Sequence, residues 1–340
     1  MSALPLGVLD FVAITGSDTA RDTIEASVEL AQHADRLGYS RYWVPEHHNH
    51  LGLAFTSQEV MLTRLLGATE RIHIGAAGIM LPNWAPLKVA EVFRTLETMF
   101  PGRVDLGLGR APGTDGLTAH ALRNGQTPDD FPQQCAELLA FLYDSFPDSH
   151  PYAQVVAAPR PDRVPEIFML GSSDFGPTFA AVNGLAAVFA HHMTPQYAAP
   201  LLRRYRADFQ SSPYLDEPRA IVSTLAFATE DRDLADAALA TWMMFKDNLQ
   251  RGERGPRASL QQALDYSRTP EFAARKPSNQ RLVHTGRPQD VAEQLVGLVE
   301  DCQADELVLV SPLGASEPRK HSYELLAVEL GLSAGAPSRR

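Results

Sequence analysis

Eight short apolar runs, each followed by a longer stretch of helical periodicity, constrain this chain more than any single residue does. The runs fall at residues 6–11, 41–44, 71–77, 103–108, 164–170, 186–189, 220–228 and 306–310. Short apolar segments bounded by turn residues read as strands buried on both faces. The intervening segments have the other period. Ile24, Val28 and Ala31 form one stripe, Leu30, Ala34 and Leu37 the adjacent one, and Gly38 is placed to end that helix. Similar patterns cover 58–68, 86–100 (opened by Pro86), 133–146, a stretch starting at about Pro177, 231–249 and 288–299. Strict strand–helix alternation predicts an α/β protein with a parallel sheet, and eight repeats predict a closed (β/α)8 TIM barrel instead of an open sheet.

At 340 residues the chain suits one large barrel. We expect a single domain over 1–332, with long excursions in the βα loops at about 110–163 and 249–285 and a disordered tail at 333–340 (SAGAPSRR). The second excursion is rich in Arg, Gly, Pro and Ser, which predicts a mobile segment at the barrel mouth. With 30 basic against 41 acidic residues the net charge is −11, which disfavours nucleic acid as a partner. Two cysteines far apart, Cys135 and Cys302, fit a reduced cytoplasmic protein in which both pack as small apolar groups. Residues 1–9 do not read as a signal peptide, and no segment approaches the roughly 20 apolar residues of a membrane helix.

In such a barrel the chemistry sits where strands end and βα loops begin. Those positions hold Asp10 and Phe11, then Glu46-His47-His48-Asn49-His50, Ala77-Gly78, Gly109-Arg110, Gly171-Ser172-Ser173, His191-His192 and Ser311-Pro312. The histidine cluster admits three readings: a metal site, hydrogen bonding around a loop, or acid–base work near neutral pH. A metal barrel of the amidohydrolase kind would add a carboxylate after the last strand, where this chain has Ser311-Pro312, so no metal is expected. Ser172 and Ser173 lie just ahead of a helix and suit either an anion or a simple helix cap. Arg110 suits a phosphate or a buried ion pair. Gly107, Gly109 and Gly113 imitate a dinucleotide fingerprint, but with the wrong spacing and no helix to open.

The segments RYWVPEHHNH, RIHIGAAGIMLPNWAPLKVAE, PGRVDLGLGRAPGTD, PEIFMLGSS, RPQDVAEQL, DELVLVSP and RKHSYELLA, in this order, resemble the bacterial luciferase-like flavin-dependent monooxygenases. The likeness covers about 5–125, 164–195 and 284–330. It implies a two-component monooxygenase that takes reduced FMN (FMNH2) from a separate, transiently bound flavin reductase. With O2 as co-substrate, such an enzyme hydroxylates or epoxidises a small organic molecule through a flavin C4a-peroxide. The flavin ring would rest on a bulge after strand three, at Ala77-Gly78, often with a non-proline cis peptide. Ser172 and Ser173 after Gly171 would hold the phosphate with Arg110, and the catalytic histidine would be His47, flanked by Glu46 and His48.

Three departures bear on chemistry. Gly109 stands where luciferase itself has a reactive cysteine, which argues against light emission. Trp84 stands where close relatives often have histidine, and Gly176 where they often have a phosphate hydroxyl. The apolar Val12-Ala13-Ile14 rim suggests a bulky apolar or aromatic, polyketide-like substrate from secondary metabolism. The resemblance also implies a homodimer paired through its early helices. Two alternatives remain open: a deazaflavin-dependent hydride-transfer enzyme, and a flavin-binding protein without turnover.

Overall fold

The computed structural model describes residues 4–126, 130–314 and 317–332, so the tail at 333–340 lies outside the described residues. The chain runs β1 (Leu6–Leu9), α1 (Ala20–Leu37), β2 (Arg41–Val44), α2 (Gln58–Ala68) and β3 (His73–Met80). A 3-10 turn (Leu81–Asn83) leads into α3 (Pro86–Met99), β4 (Val104–Gly109), α4 (Gly116–Leu122) and α5 (Phe131–Tyr143). Next come β5 (Glu166–Gly171), α6 (Phe175–Asn183), β6 (Ala186–Ala190), α7 (Pro195–Asp208), β7 (Ala220–Ala228) and α8 (Arg232–Gln250). The last part holds α9 (Leu260–Ser267), α10 (Pro270–Asn279), β8 (Val283–Gly286), α11 (Pro288–Cys302), β9 (Glu306–Val310) and α12 (Glu317–Glu329).

Strands β1 to β7 and β9 close into a parallel ring, because β1 pairs with β9, β9 with β7 and β7 with β6. This is the (β/α)8 barrel that the alternation predicts. Each stave buries both faces. On β7, Ile221 and Leu225 point inward to join Leu9, Trp43, Phe168, Val188, Val308 and Val310, while Val222 and Ala226 pack among the helices. Full burial of one such large side chain contributes about 1.5–3 kcal/mol. Local signals fix the helix ends: Thr19 and Asp22 form a capping box on α1, and Gly38 closes it at φ +87°.

The differences from expectation are local. β1 stops at Leu9 because the Asp10 carboxylate accepts the Val12 N–H and Val12 turns to φ +49°. α5 ends at Tyr143, where Asp144 takes a left-handed conformation. The excursion at 249–285 contains α9, α10 and β8, of which β8 adds to β7 through Leu225–Ala228. The end of the barrel where the strands begin is tied by charge. Arg41 contacts Asp105 and Glu306, both at 2.5 Å, and Arg219 contacts Glu166 (2.9 Å) and Glu306 (3.1 Å). His73, Asp105 and Glu166 have the spacing of a metal site there, but the two guanidiniums already supply the positive charge. No helix among the described residues is long and apolar enough to cross a membrane.

Candidate active site

At the other end of the barrel the strand ends bring the predicted residues together. β3 carries one extra residue between Ala76 and Ile79 relative to β4, and the Ala77-Gly78 peptide within this bulge is cis. Opposite the bulge, a Cβ on Gly107 would come within 2.2 Å of the Ala76 carbonyl oxygen, so only glycine lets β4 pass.

The loop after β2 spreads its histidines over three different tasks. Glu46 is buried, and its carboxylate accepts the Met80 N–H (2.9 Å), the Trp84 indole N–H (2.9 Å) and a bond from His48 Nε2 (2.8 Å). It therefore braces β2 against the end of β3, with His48 held at its side. His50 Nδ1 accepts the Gly52 N–H at 3.1 Å. His47 stacks on Phe11 (centroids 5.9 Å, planes 24° apart), and its Nδ1 is buried with no partner among the described residues. Burial, reinforced by His50 and opposed by Glu46, lowers His47 to about 4, so the ring is neutral at pH 7 and can accept a proton. Among the described residues, His47, His48 and His50 belong to no group of three potential metal ligands with close donor atoms.

β4 and β5 lie side by side and deliver Arg110 and Gly171-Ser172-Ser173 to one place. The Arg110 guanidinium carbon stands 3.8 Å from the ring centroid of Phe175, the first residue of α6. No carboxylate pairs with Arg110 and no hydrogen bond uses either serine hydroxyl among the described residues; the Ser172 carbonyl accepts from Thr194 at 2.5 Å. Gly171 and Gly176 pack face to face, and a Cβ on Gly176 would lie 3.2 Å from the Gly171 Cα. A side chain at 176 would therefore need strand and helix to part by a few tenths of an ångström. The Arg110 side chain, the Ser172 and Ser173 hydroxyls and the N-terminal N–H groups of α6 are groups of the kind that an anion takes.

His191 and His192, after β6, turn to the sheet: His191 Nδ1 bonds Thr224 Oγ1 (2.9 Å) and His192 Nδ1 lies 3.3 Å from the Ser223 carbonyl. Burial lowers both to about 4. Sequence reasoning missed the contribution of the excursion after α8. Its backbone bonds to the loops after β1 and β2 (Arg257 N–H to Ile14 O, 2.8 Å; Gly52 N–H to Arg254 O, 3.0 Å) and sets the Arg257 guanidinium against the ring of Phe11 and, on α8, that of Phe245. The long RGERGPRASL segment was the available signal, but its charge pattern alone does not say which arginine is paired.

Comparison with known proteins gives the family and the fold. The sequence profile of luciferase-like monooxygenases matches residues 4–305. A luciferase-like monooxygenase of Escherichia coli (strain K12) is 34% identical over 329 residues, covering 95% of this chain and 96% of that protein. An N-acetyl-S-alkylcysteine monooxygenase of Bacillus subtilis (strain 168) is 32% identical over 325 residues, with 95% and 97% covered. The crystal structure of apo-MsnO8 superimposes with a TM-score of 0.89 at 32% identity, covering 98% of this chain and all of that one. Barrels at 18% and 12% identity, solved with FMN and with an F420 adduct respectively, share the fold.

Proposed function

This chain belongs to the luciferase-like monooxygenase family, and from that premise we propose that it oxygenates a small organic substrate with reduced FMN and O2. What carries this is Arg110: a guanidinium that, among the described residues, has no carboxylate partner and stands at the head of α6, in the same region as two serine hydroxyls that no described residue uses. Those groups fit a phosphate monoester, which FMN has. Arg110, Ser172 and Ser173 would hold the phosphate, and the bulge at Ala77-Gly78, with side-chain-free Gly109 and Gly171 nearby, would bear the flat ring. When bound, reduced FMN supplies the electrons that activate O2.

The protein's own residues position and move protons. His47, neutral and with an unpartnered Nδ1, accepts a proton from the reacting centre and returns it. Glu46 keeps the loop in place through its three donors, and His48 screens its carboxylate from solvent. Phe11, Phe245 and Trp242 suit an apolar or aromatic substrate body. In the same reading the reduced flavin comes from a separate reductase in the cytoplasm, and two copies pair along α2 and α3, where Val60 and Met99 are exposed.

An anaerobic titration with reduced FMN and reduced deazaflavin, followed by tryptophan fluorescence and then by admitting oxygen, tests the assignment. Reduced FMN should bind and be reoxidised with oxygen transfer to substrate. Tight deazaflavin binding without an FMN response would reject it in favour of hydride transfer. His47→Ala should leave reduced-FMN binding intact and cut oxygenation by roughly 100-fold.

A further inference from the structure

The barrel mouth holds a second unspent cation, on a different arc of the rim from Arg110. Arg257 is rooted by main-chain bonds to the loop after β1, its N–H to Ile14 O (2.8 Å) and its carbonyl from the Gly16 N–H (2.9 Å). Its guanidinium carbon lies 5.5 Å from the Phe11 ring centroid and 5.1 Å from that of Phe245. Its hydrogen bond to the Pro312 carbonyl is long, at 3.3 Å. No carboxylate pairs with it among the described residues, and the nearby ones are committed. Asp115 takes Arg254 (2.9 Å) and Asn49 (3.0 Å), while Asp10 takes Arg319 (2.7 Å) and Tyr42 (2.5 Å). Burial lowers Arg257 to about 10, and repulsion from Arg319 outweighs attraction to Asp10.

A half-buried cation without a carboxylate partner is costly, and two aromatic faces recover only part of that cost. Trp242, whose ring packs 5.6 Å from Phe245, has a buried indole N–H with no partner among the described residues, and Arg254 and Arg257 depress the neighbouring His50 further after burial has lowered it. The Phe11 ring that meets Arg257 also stacks on His47. Donors in excess, a planar guanidinium fork and apolar walls describe a receptor for a carboxylate on an apolar body.

We propose that Arg257 anchors the substrate, and that the substrates are organic acids whose carboxylate it grips while the apolar body lies along Phe11 towards His47. The proposal rests on the mouth being the oxygenation site. It concerns the substrate and not the flavin phosphate, which Arg110, Ser172 and Ser173 would hold.

The test uses the full chain without cofactor, titrated with 3-phenylpropionate and with 3-phenylpropanamide and followed by calorimetry. The acid should bind at least about 10-fold more tightly than the amide, the ratio expected for one charge-assisted contact. Arg257→Gln should abolish that preference and leave the amide unchanged, and Arg257→Lys, with charge but no fork, should keep part of it. Equal binding of acid and amide, binding of neither, or an acid preference that survives Arg257→Gln each overturns the assignment. So does Arg257→Gln weakening reduced FMN 10-fold or more, which would give the cation to the flavin. If the wild type fails to bind reduced FMN yet prefers the acid, the flavin reading falls and the anion anchor stands.

Discussion

Acidification from pH 7 to pH 5 should destabilise the fold through rings that are buried uncharged. His47, His191 and His192 are each lowered to about 4, chiefly by burial. The sign follows from linkage: the unfolded chain binds protons in this window and the folded chain does not, so stability falls as pH falls from about 7 towards 4. At pH 5 an unfolded histidine of ordinary pKa is about 97% protonated and one held at about 4 is about 10% protonated, so each ring loses about 2 kcal/mol. His73 works the other way. Hydrogen bonding and attraction from Asp105 raise it despite burial, so its stabilisation is present at low pH and is lost as pH rises. Asp10, Asp105 and Glu306 are lowered, their charge partners outweighing burial, and lose their contribution only below the window. The net expectation is a fall of several kcal/mol in the urea-unfolding free energy. His192→Asn should shrink the fall by about 2 kcal/mol relative to wild type. A wild-type profile flat between pH 7 and pH 5, or an unchanged pH dependence in His192→Asn, would refute this account of the buried rings.

Two further outcomes follow from the site. Arg110→Ala should weaken reduced FMN by about 10- to 100-fold and leave reduced riboflavin, which lacks the phosphate, within about twofold; equal losses for both in anaerobic titrations would remove the phosphate role. Glu46→Gln keeps an acceptor for some of its three donors but turns an amide N–H₂ towards another, so it should lower stability by about 2–3 kcal/mol. Urea melts matching wild type would show that the carboxylate does not brace the loop.

The ring of staves was legible because β2, β7 and β9 are apolar runs cut off by turn residues, and their predicted limits coincide with those of the structure. β8 was not, since Val283–Gly286 has four residues, of which His284 and Thr285 are polar, and its identity comes from distant pairing with β7. α9 and α10 were hidden by the Arg- and Pro-rich composition around them, with Pro277 falling inside α10. At the site, position in the chain pointed to His47, Arg110 and Ser172. Whether each has a partner did not follow, because partners such as Phe175, Phe11 and Trp84 arrive from other loops. Trp84 shows this best: in the chain it reads as a departure from a histidine, and in space it is a donor to Glu46.

The charged floor has a consequence for change at the opposite end. Arg41 and Arg219 fasten β2, β4, β5 and β9 to one another, with Arg219 placed immediately before β7, so closure of the cylinder is secured at the end opposite the loops of the barrel mouth. On the proposal that Arg257 anchors the substrate, rewriting the segment between α8 and β8 would alter what the protein accepts while the staves stay upright, which makes that segment the place to graft new selectivity onto this scaffold.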